Sequence, residues 1–193
     1  MILLVHALRR HHAGVVGARG HRLAADSMRE VVFGVEDGTV QNMALVAGMV
    51  GAALSNRIIV IAAAINAISG VLSMAMGTYL SSKAERDVAL ARGEPGPGHC
   101  TPERDAVVMA AAYAGGALVP LLPFAVGLPR VGALWTSMAI AAATLFTLGV
   151  AKAVASHQAR VRAGAEMLLL ASAAGLLGYG LGILARVAFG VAV

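Results

Sequence analysis

The sequence predicts an all-α integral membrane protein with five transmembrane helices, its N-terminus in the cytoplasm and its C-terminus on the opposite side. Four observations carry this. Five stretches, 38–56, 58–82, 106–129, 131–151 and 167–185, contain no Asp, Glu, Lys or Arg, and each is close to the roughly 20 residues a helix needs to cross a hydrocarbon core. The 193 residues are 59% hydrophobic and 13% charged, too apolar for a soluble domain of this size. The runs are rich in Ala, Gly, Val and Leu and lack the alternation of barrel strands, so the spanning element is helical. Finally, of the 15 Lys and Arg, twelve fall in 1–30, 83–105 and 152–166. Only Arg57, Arg130 and Arg186 fall elsewhere, and the positive-inside rule then sets the orientation.

In chain order, residues 1–27 form a basic cytoplasmic segment with His6, His11, His12 and His21. It reads either as a helix lying on the membrane surface, drawn by anionic lipid, or as a loosely ordered tail. Residues 28–193 form one five-helix domain, with spans at about 31–55, 58–81, 106–127, 131–152 and 165–188. The first span opens with Val31 to Val35, so Asp37 sits about 9 Å along the helix and is not a rim residue. Asp37, Gln41, Ala44, Gly48 and Gly51 share one narrow face, polar at one end, which should meet another helix of the same chain or of a second subunit. In the second span Asn66, Gly70, Ser73 and Gly77 form a related face, with Met74 beside it and Thr78 one turn beyond Met74. An amide in mid-membrane needs a partner, so this face is expected to turn inward.

The connection that follows begins with Lys83, Glu85, Arg86 and Asp87, whose spacing prolongs the second helix through charge pairs. The Gly/Pro-rich run 93–98 then breaks it. In the third span Pro120 and Pro123 each remove a backbone donor, which predicts a kink or early unwinding. The fourth and fifth spans read as scaffold, with Trp135 as an interface anchor and Gly175, Gly178 and Gly182 as a packing edge.

The chemistry is limited by what is missing. Cys100 is the single cysteine, so an intramolecular disulfide and a Cys-based zinc cluster are excluded. Nucleophile-elbow, phosphate-loop, dinucleotide and zinc-protease patterns are absent, and His99 and His157 fall in connections. No enzyme activity, bound cofactor or nucleic-acid partner is expected, because the net charge of +5 sits beside the spans with no aromatic-interleaved basic patch. Residues 1–8 are apolar but precede Arg9 and Arg10, the reverse of a secretory signal. No cleavable leader is expected, which fits a prokaryotic cytoplasmic membrane.

An ion path is better supported. Carboxylate and carbonyl oxygens suit divalent cations, and the Met74 thioether adds a softer ligand for later transition metals. A carboxylate that gives up a proton when a cation arrives is the basis of antiport. The alternatives are an Asp37 satisfied by Gln41, Asn42 or an amide of a partner helix, and a Met74 that fills the core.

The run Met28 to Gly38 (MREVVFGVEDG) followed by Ala44 to Gly48 resembles the first-helix signature of the vacuolar iron transporter (VIT) family, LRE-x-V-x-G-x-x-DG and then LVAG. Leu72 to Ser81 is similar to its second-helix LSMAxGEYLS, Leu118 to Phe124 to its third-helix L-[VI]-PLLP[FY], and Arg162 to Leu168 to the approach to its fifth helix. The likeness implies a five-helix homodimer in the lipid bilayer that moves Fe2+ or Mn2+ out of the cytoplasm in exchange for protons. The path would run along the dimer interface past Asp37 and Met74 as metal ligands. Glu36, Gln41, Asn66 and Thr78 are entrance or auxiliary positions. Two departures stand out. Thr78 replaces the usual Glu, and Glu36, about 100° around the helix from Asp37, is no simple substitute. The connection 82–105 also lacks the long Glu-rich insert of some members and makes this a short, VIT-like chain. A membrane scaffold or partner-binding subunit that keeps the fold without transport is the alternative function.

Overall fold

The computed structural model describes residues 28–93, 101–156 and 159–190. The segment 1–27 with its four histidines, the Gly/Pro-rich run from 94 onward, His99, Cys100 and His157 lie outside the described residues. Those described form five helices and no strand: α1 (28–51), α2 (Asn56–Ala91), α3 (Pro102–Ala125), α4 (Arg130–Ser156) and α5 (Arg160–Phe189). Four of them, α2 to α5, are long and apolar enough to cross a membrane, and the protein is a multi-pass membrane protein.

The helix richest in buried polar side chains among the described residues, α1 with Glu30, Thr39 and Asn42, is the hub of the bundle. Its Gly34 and Gly38 lie against Ala112, Tyr113 and Ala117 of α3, and its Ala44, Gly48 and Gly51 lie against Gly178, Tyr179 and Gly182 of α5. Its Met43 is buried beside Ser137 of α4, and its Asn42 is bonded to Asn66 of α2. The arrangement follows from the solvent. Polar side chains facing lipid are costly, so the helix that carries them packs against the apolar four. Those four turn residues such as Ile61, Ile65, Ile68, Leu170, Leu177 and Leu184 outward. Lipid tails are as apolar as leucine, so this exposure carries no hydrophobic cost.

Helix boundaries differ from the predicted spans where a local group intervenes. α1 stops at Gly51 instead of running to 55, because the chain turns through Ala53 with φ of 62°. The Arg130 guanidinium fastens that turn, donating to the Ala53 carbonyl at 2.8 Å and the Leu54 carbonyl at 3.3 Å. Asn56 adds a 2.8 Å bond to the Leu128 carbonyl, tying the α1–α2 and α3–α4 turns together. α2 has 36 residues, about 54 Å at 1.5 Å each, so it overruns a hydrocarbon core of about 30 Å. Its last turns are the charged stretch beginning at Lys83, which is exposed and, among the described residues, lacks the ion pairs its spacing predicts. α3 carries Pro102 in its first turn, where no helical donor is required, with Glu103 and Asp105 favourable to the helix dipole. It stays helical through Pro120 and Pro123. The predicted early unwinding does not occur; the Gly116 carbonyl, which Pro120 leaves without its helical donor, accepts instead from the Thr39 hydroxyl at 3.1 Å.

Packing divides the bundle lengthwise. At the α1 C-terminal end Met43, Val46 and Ala47 join Ile59, Ala63, Leu121, Phe124 and Leu134 in the main apolar core. The N-terminal half of α1, facing α2 and α3, carries the polar residues instead.

Candidate metal-ion site

Glu30, Phe33, Asp37 and Gln41 follow one another at three- and four-residue steps, so they form one edge of α1. Beside this edge lies Tyr113 of α3, fully buried, whose hydroxyl donates to Oε1 of Gln41. The Tyr113 ring lies against Gly70 of α2, where a Cβ would run into the phenol. It also joins Ala67, Ala117, Val71 and Met74 in a small apolar cluster. Gly70 therefore admits the ring, and Tyr113 contacts both Met74, through the apolar cluster, and Gln41, through its hydroxyl. Asp37 is an electrostatic neighbour of the same hydroxyl.

The sequence left Asp37 two fates, ion ligand or satisfied interior acid. Asn42 is fully buried, donates its amide to the Ala117 carbonyl at 2.7 Å and accepts from Asn66 Nδ2 at 3.2 Å. Gln41 is held by Tyr113. Neither side chain serves Asp37, and among the described residues its half-buried carboxylate forms no hydrogen bond or ion pair. Glu36, also half-buried, lies about 100° away on the same helix and outside this edge.

The second-helix face turns inward over only half its length. Asn66 and Gly70 contact α1 and α3, whereas Ser73 and Gly77 are exposed, with nothing near a Cβ at Gly77. Below them a cavity of about 380 Å³ opens between the start of α1, the later turns of α2 and the start of α3. Arg29, Glu30, Phe33, Met74, Gly77, Thr78, Ser81 and Met109 line it. Met74 and Thr78 are thus brought together with Glu30, while Asp37 sits two turns along the α1 edge from Glu30, about 10 Å in rise.

Glu30 was missed by sequence reasoning. It is 3% exposed; one oxygen accepts from Arg29 Nε at 3.1 Å and the other, Oε2, is buried with no partner. Leaving such an atom unpaired costs about 1–3 kcal/mol, more for a charged group. The signal was present, since Glu30 precedes Asp37 by seven residues and so shares its face. Tyr113 and Met109 were missed because nothing in the spacing of α3 says which of its faces meets α1. Nearby, Asp105 is buried and accepts from Ser82 Oγ at 3.0 Å, a link that clamps α2 to α3. Among the described residues no three His, Cys, Asp or Glu side chains converge on one point, so any cation held here draws on mixed donors.

Comparison with known proteins adds to this geometry. Residues 28–95 and 93–183 match the sequence model of the VIT family. The chain is 30% identical over 153 residues to vacuolar iron transporter homolog 5 of Oryza sativa subsp. japonica, covering 75% of this chain and 74% of that protein. It is 39% identical over 67 residues to vacuolar iron transporter 1 of Tulipa gesneriana, a match of 35% of this chain but 27% of that protein. With the vacuolar iron transporter of Plasmodium falciparum (isolate 3D7) it shares 35% over 71 residues, 26% of that protein's length. The match thus spans about a quarter of the transporters from tulip and Plasmodium.

Proposed function

Because this chain belongs to the VIT family, we propose that it exports a divalent transition metal, iron or manganese, from the cytoplasm in exchange for protons. The observation that carries the reading is Asp37: a carboxylate inside a membrane bundle that forms no hydrogen bond or ion pair among the described residues. Such a group is costly and persists when a cation or proton visits it. Asp37 acts as principal ligand and proton carrier, and Met74 contributes a thioether. Gln41, Asn66 and Thr78 support the path, and Glu36 lies at its margin. The bundle orientation with the basic connections inside makes the N-terminal end of α1 the cytoplasmic entrance, and the membrane is the cytoplasmic one of a prokaryote.

A homodimer completes the site. Gln41, Ser73 and Gly77 are exposed on the single chain. A polar edge against lipid is unfavourable, and a second copy would cover it.

One observation favours the alternative of a scaffold that no longer transports: Thr78 stands where a carboxylate would strengthen the site. Purified protein in proteoliposomes separates the two. Fe2+ or Mn2+ uptake driven by a pH gradient, and reduced at least about tenfold in Asp37→Asn, is expected of a transporter. Equal flux for wild type, Asp37→Asn and empty vesicles would identify a scaffold.

A further inference from the structure

The transport reading leaves one polar pair without a role: Tyr113 of α3 and Gln41 of α1. Tyr113 is fully buried, and its hydroxyl donates to Oε1 of Gln41, a residue exposed on the single chain. The direction of this bond settles the amide. A buried phenolic hydrogen needs an acceptor, and the side chains clustered about the ring, Ala67, Val71, Met74 and Ala117, offer nothing stronger than a thioether. Asp37, an electrostatic neighbour of the hydroxyl, forms no hydrogen bond with it. Oε1 of Gln41 is therefore turned to the protein interior, and the N–H donors of Nε2 are the end left for the exposed edge. Gly70 makes this possible, since a Cβ there would collide with the hydroxyl end of the ring.

We propose that Tyr113 is a positioning residue for ion transport: it holds the Gln41 amide with its oxygen withheld from the path, so that Asp37 binds a cation without a neighbouring carbonyl ligand. The inference rests on the transport reading, in which Asp37 holds the ion. Gln41 follows Asp37 by four residues and so stands about 6 Å beyond it on the same edge of α1. A glutamine oxygen there would be an ordinary ligand for a divalent cation, of the kind that carboxamides supply in oxygen-rich sites. The amide nitrogen is a donor and repels a cation. An ion leaving Asp37 outward therefore meets donors instead of a second ligand, and binding stays weak enough for release, as conduction requires. A purely structural hydrogen bond would lack this directional consequence: its loss would loosen the bundle and weaken the ion's grip.

Mn2+ titration of the full chain in detergent micelles, followed by the electron paramagnetic resonance signal of the free ion, tests this together with Mn2+ uptake into proteoliposomes. Tyr113→Phe keeps the ring against Gly70 and removes only the donor, which frees the amide to turn its oxygen outward. Mn2+ should then bind at least about threefold tighter, and the maximal uptake rate should fall along with the half-saturating concentration. In a Gln41→Leu background, which has no amide to release, the same substitution should change Mn2+ affinity by less than about twofold. Weaker or unchanged Mn2+ binding in Tyr113→Phe, or equal tightening with Gln41→Leu present, would overturn the proposal. The transport reading fails separately. Tighter binding in Tyr113→Phe by a protein that moves no Mn2+ keeps the positioning role and removes transport; uptake that needs Asp37, with Mn2+ affinity the same in wild type and Tyr113→Phe, does the reverse. No Mn2+ binding by the wild type sinks both.

Discussion

The hydroxyl of Thr39 donates to the carbonyl of Gly116 at 3.1 Å, and Gly116 is the residue four positions before Pro120. In an unbroken helix that carbonyl would accept from the backbone N–H of residue 120, which proline lacks. Thr39 is itself fully buried, so donor and acceptor complete each other across the α1–α3 contact. The close approach that allows it comes from Gly116, where a Cβ would run into the Val35 carbonyl.

Thr39→Val keeps the shape and removes the donor, leaving the Gly116 carbonyl buried and unpaired. The expected loss is about 1–2 kcal/mol, between the typical membrane hydrogen bond and the full penalty for an orphaned acceptor. In a Pro120→Ala background the helix can supply its own N–H, so the same substitution should cost less than about half as much. A double-mutant cycle from reversible unfolding in mixed micelles measures this; equal costs in both backgrounds would show that the hydroxyl does not stand in for the missing amide.

Asn42 should matter more than its partner Asn66. Asn42 has two bonds to lose, one to the Ala117 carbonyl and one from Asn66, whereas Asn66 is only partly buried and loses one. Asn42→Ala is therefore expected to destabilise by about 2 kcal/mol and Asn66→Ala by about 1 kcal/mol. Unfolding midpoints of the two variants check the order, and the reverse order would mean that the bond between them faces water.

These buried bonds mark the limit of what the sequence made legible. The five helices follow from charge-free runs because lipid tolerates little else, and the inward turn of Asn66 follows from the cost of an unpaired amide. The small face through Ala44, Gly48 and Gly51 was legible as a packing face, but its partner, α5 of the same chain, was not, since glycine spacing gives closeness without identity. Glu30 went unread because the first helix was begun at Val31, although the helix starts at 28. The persistence of α3 through Pro120 draws on Thr39 of α1, remote in sequence, which no local propensity contains.

Glycines that look alike in sequence differ in what they permit. At Gly182 a Cβ would run into the Gly48 carbonyl, whereas at Gly180 nothing lies within 4 Å. Gly182→Ala must push two backbones apart, at a cost on the order of 1–3 kcal/mol. Gly180→Ala adds helix propensity and should be neutral or stabilising by up to about 1 kcal/mol. Thermal unfolding of the two variants in the same detergent distinguishes them. Similar destabilisation by both would mean that α5 is covered on its open face as well.

The last prediction concerns Thr78, half-buried and lining the cavity with Glu30 and Met74. Thr78→Glu introduces a carboxylate into a space whose free oxygen donors are now two hydroxyls, and a carboxylate holds a hard divalent ion better than a hydroxyl does. Mn2+ should gain more than a softer ion, because the added ligand is oxygen while the thioethers are unchanged. The expected result is Mn2+ binding tighter by about tenfold, equivalent to about 1.4 kcal/mol, and a Co2+ to Mn2+ preference shifted toward Mn2+. Flux need not rise with affinity, since an ion held more firmly leaves more slowly; the half-saturating concentration should fall while the maximal uptake rate holds or drops. If binding and selectivity are both unchanged in Thr78→Glu, residue 78 does not face the ion, and the shortfall of charge at this position has no bearing on which metal is carried.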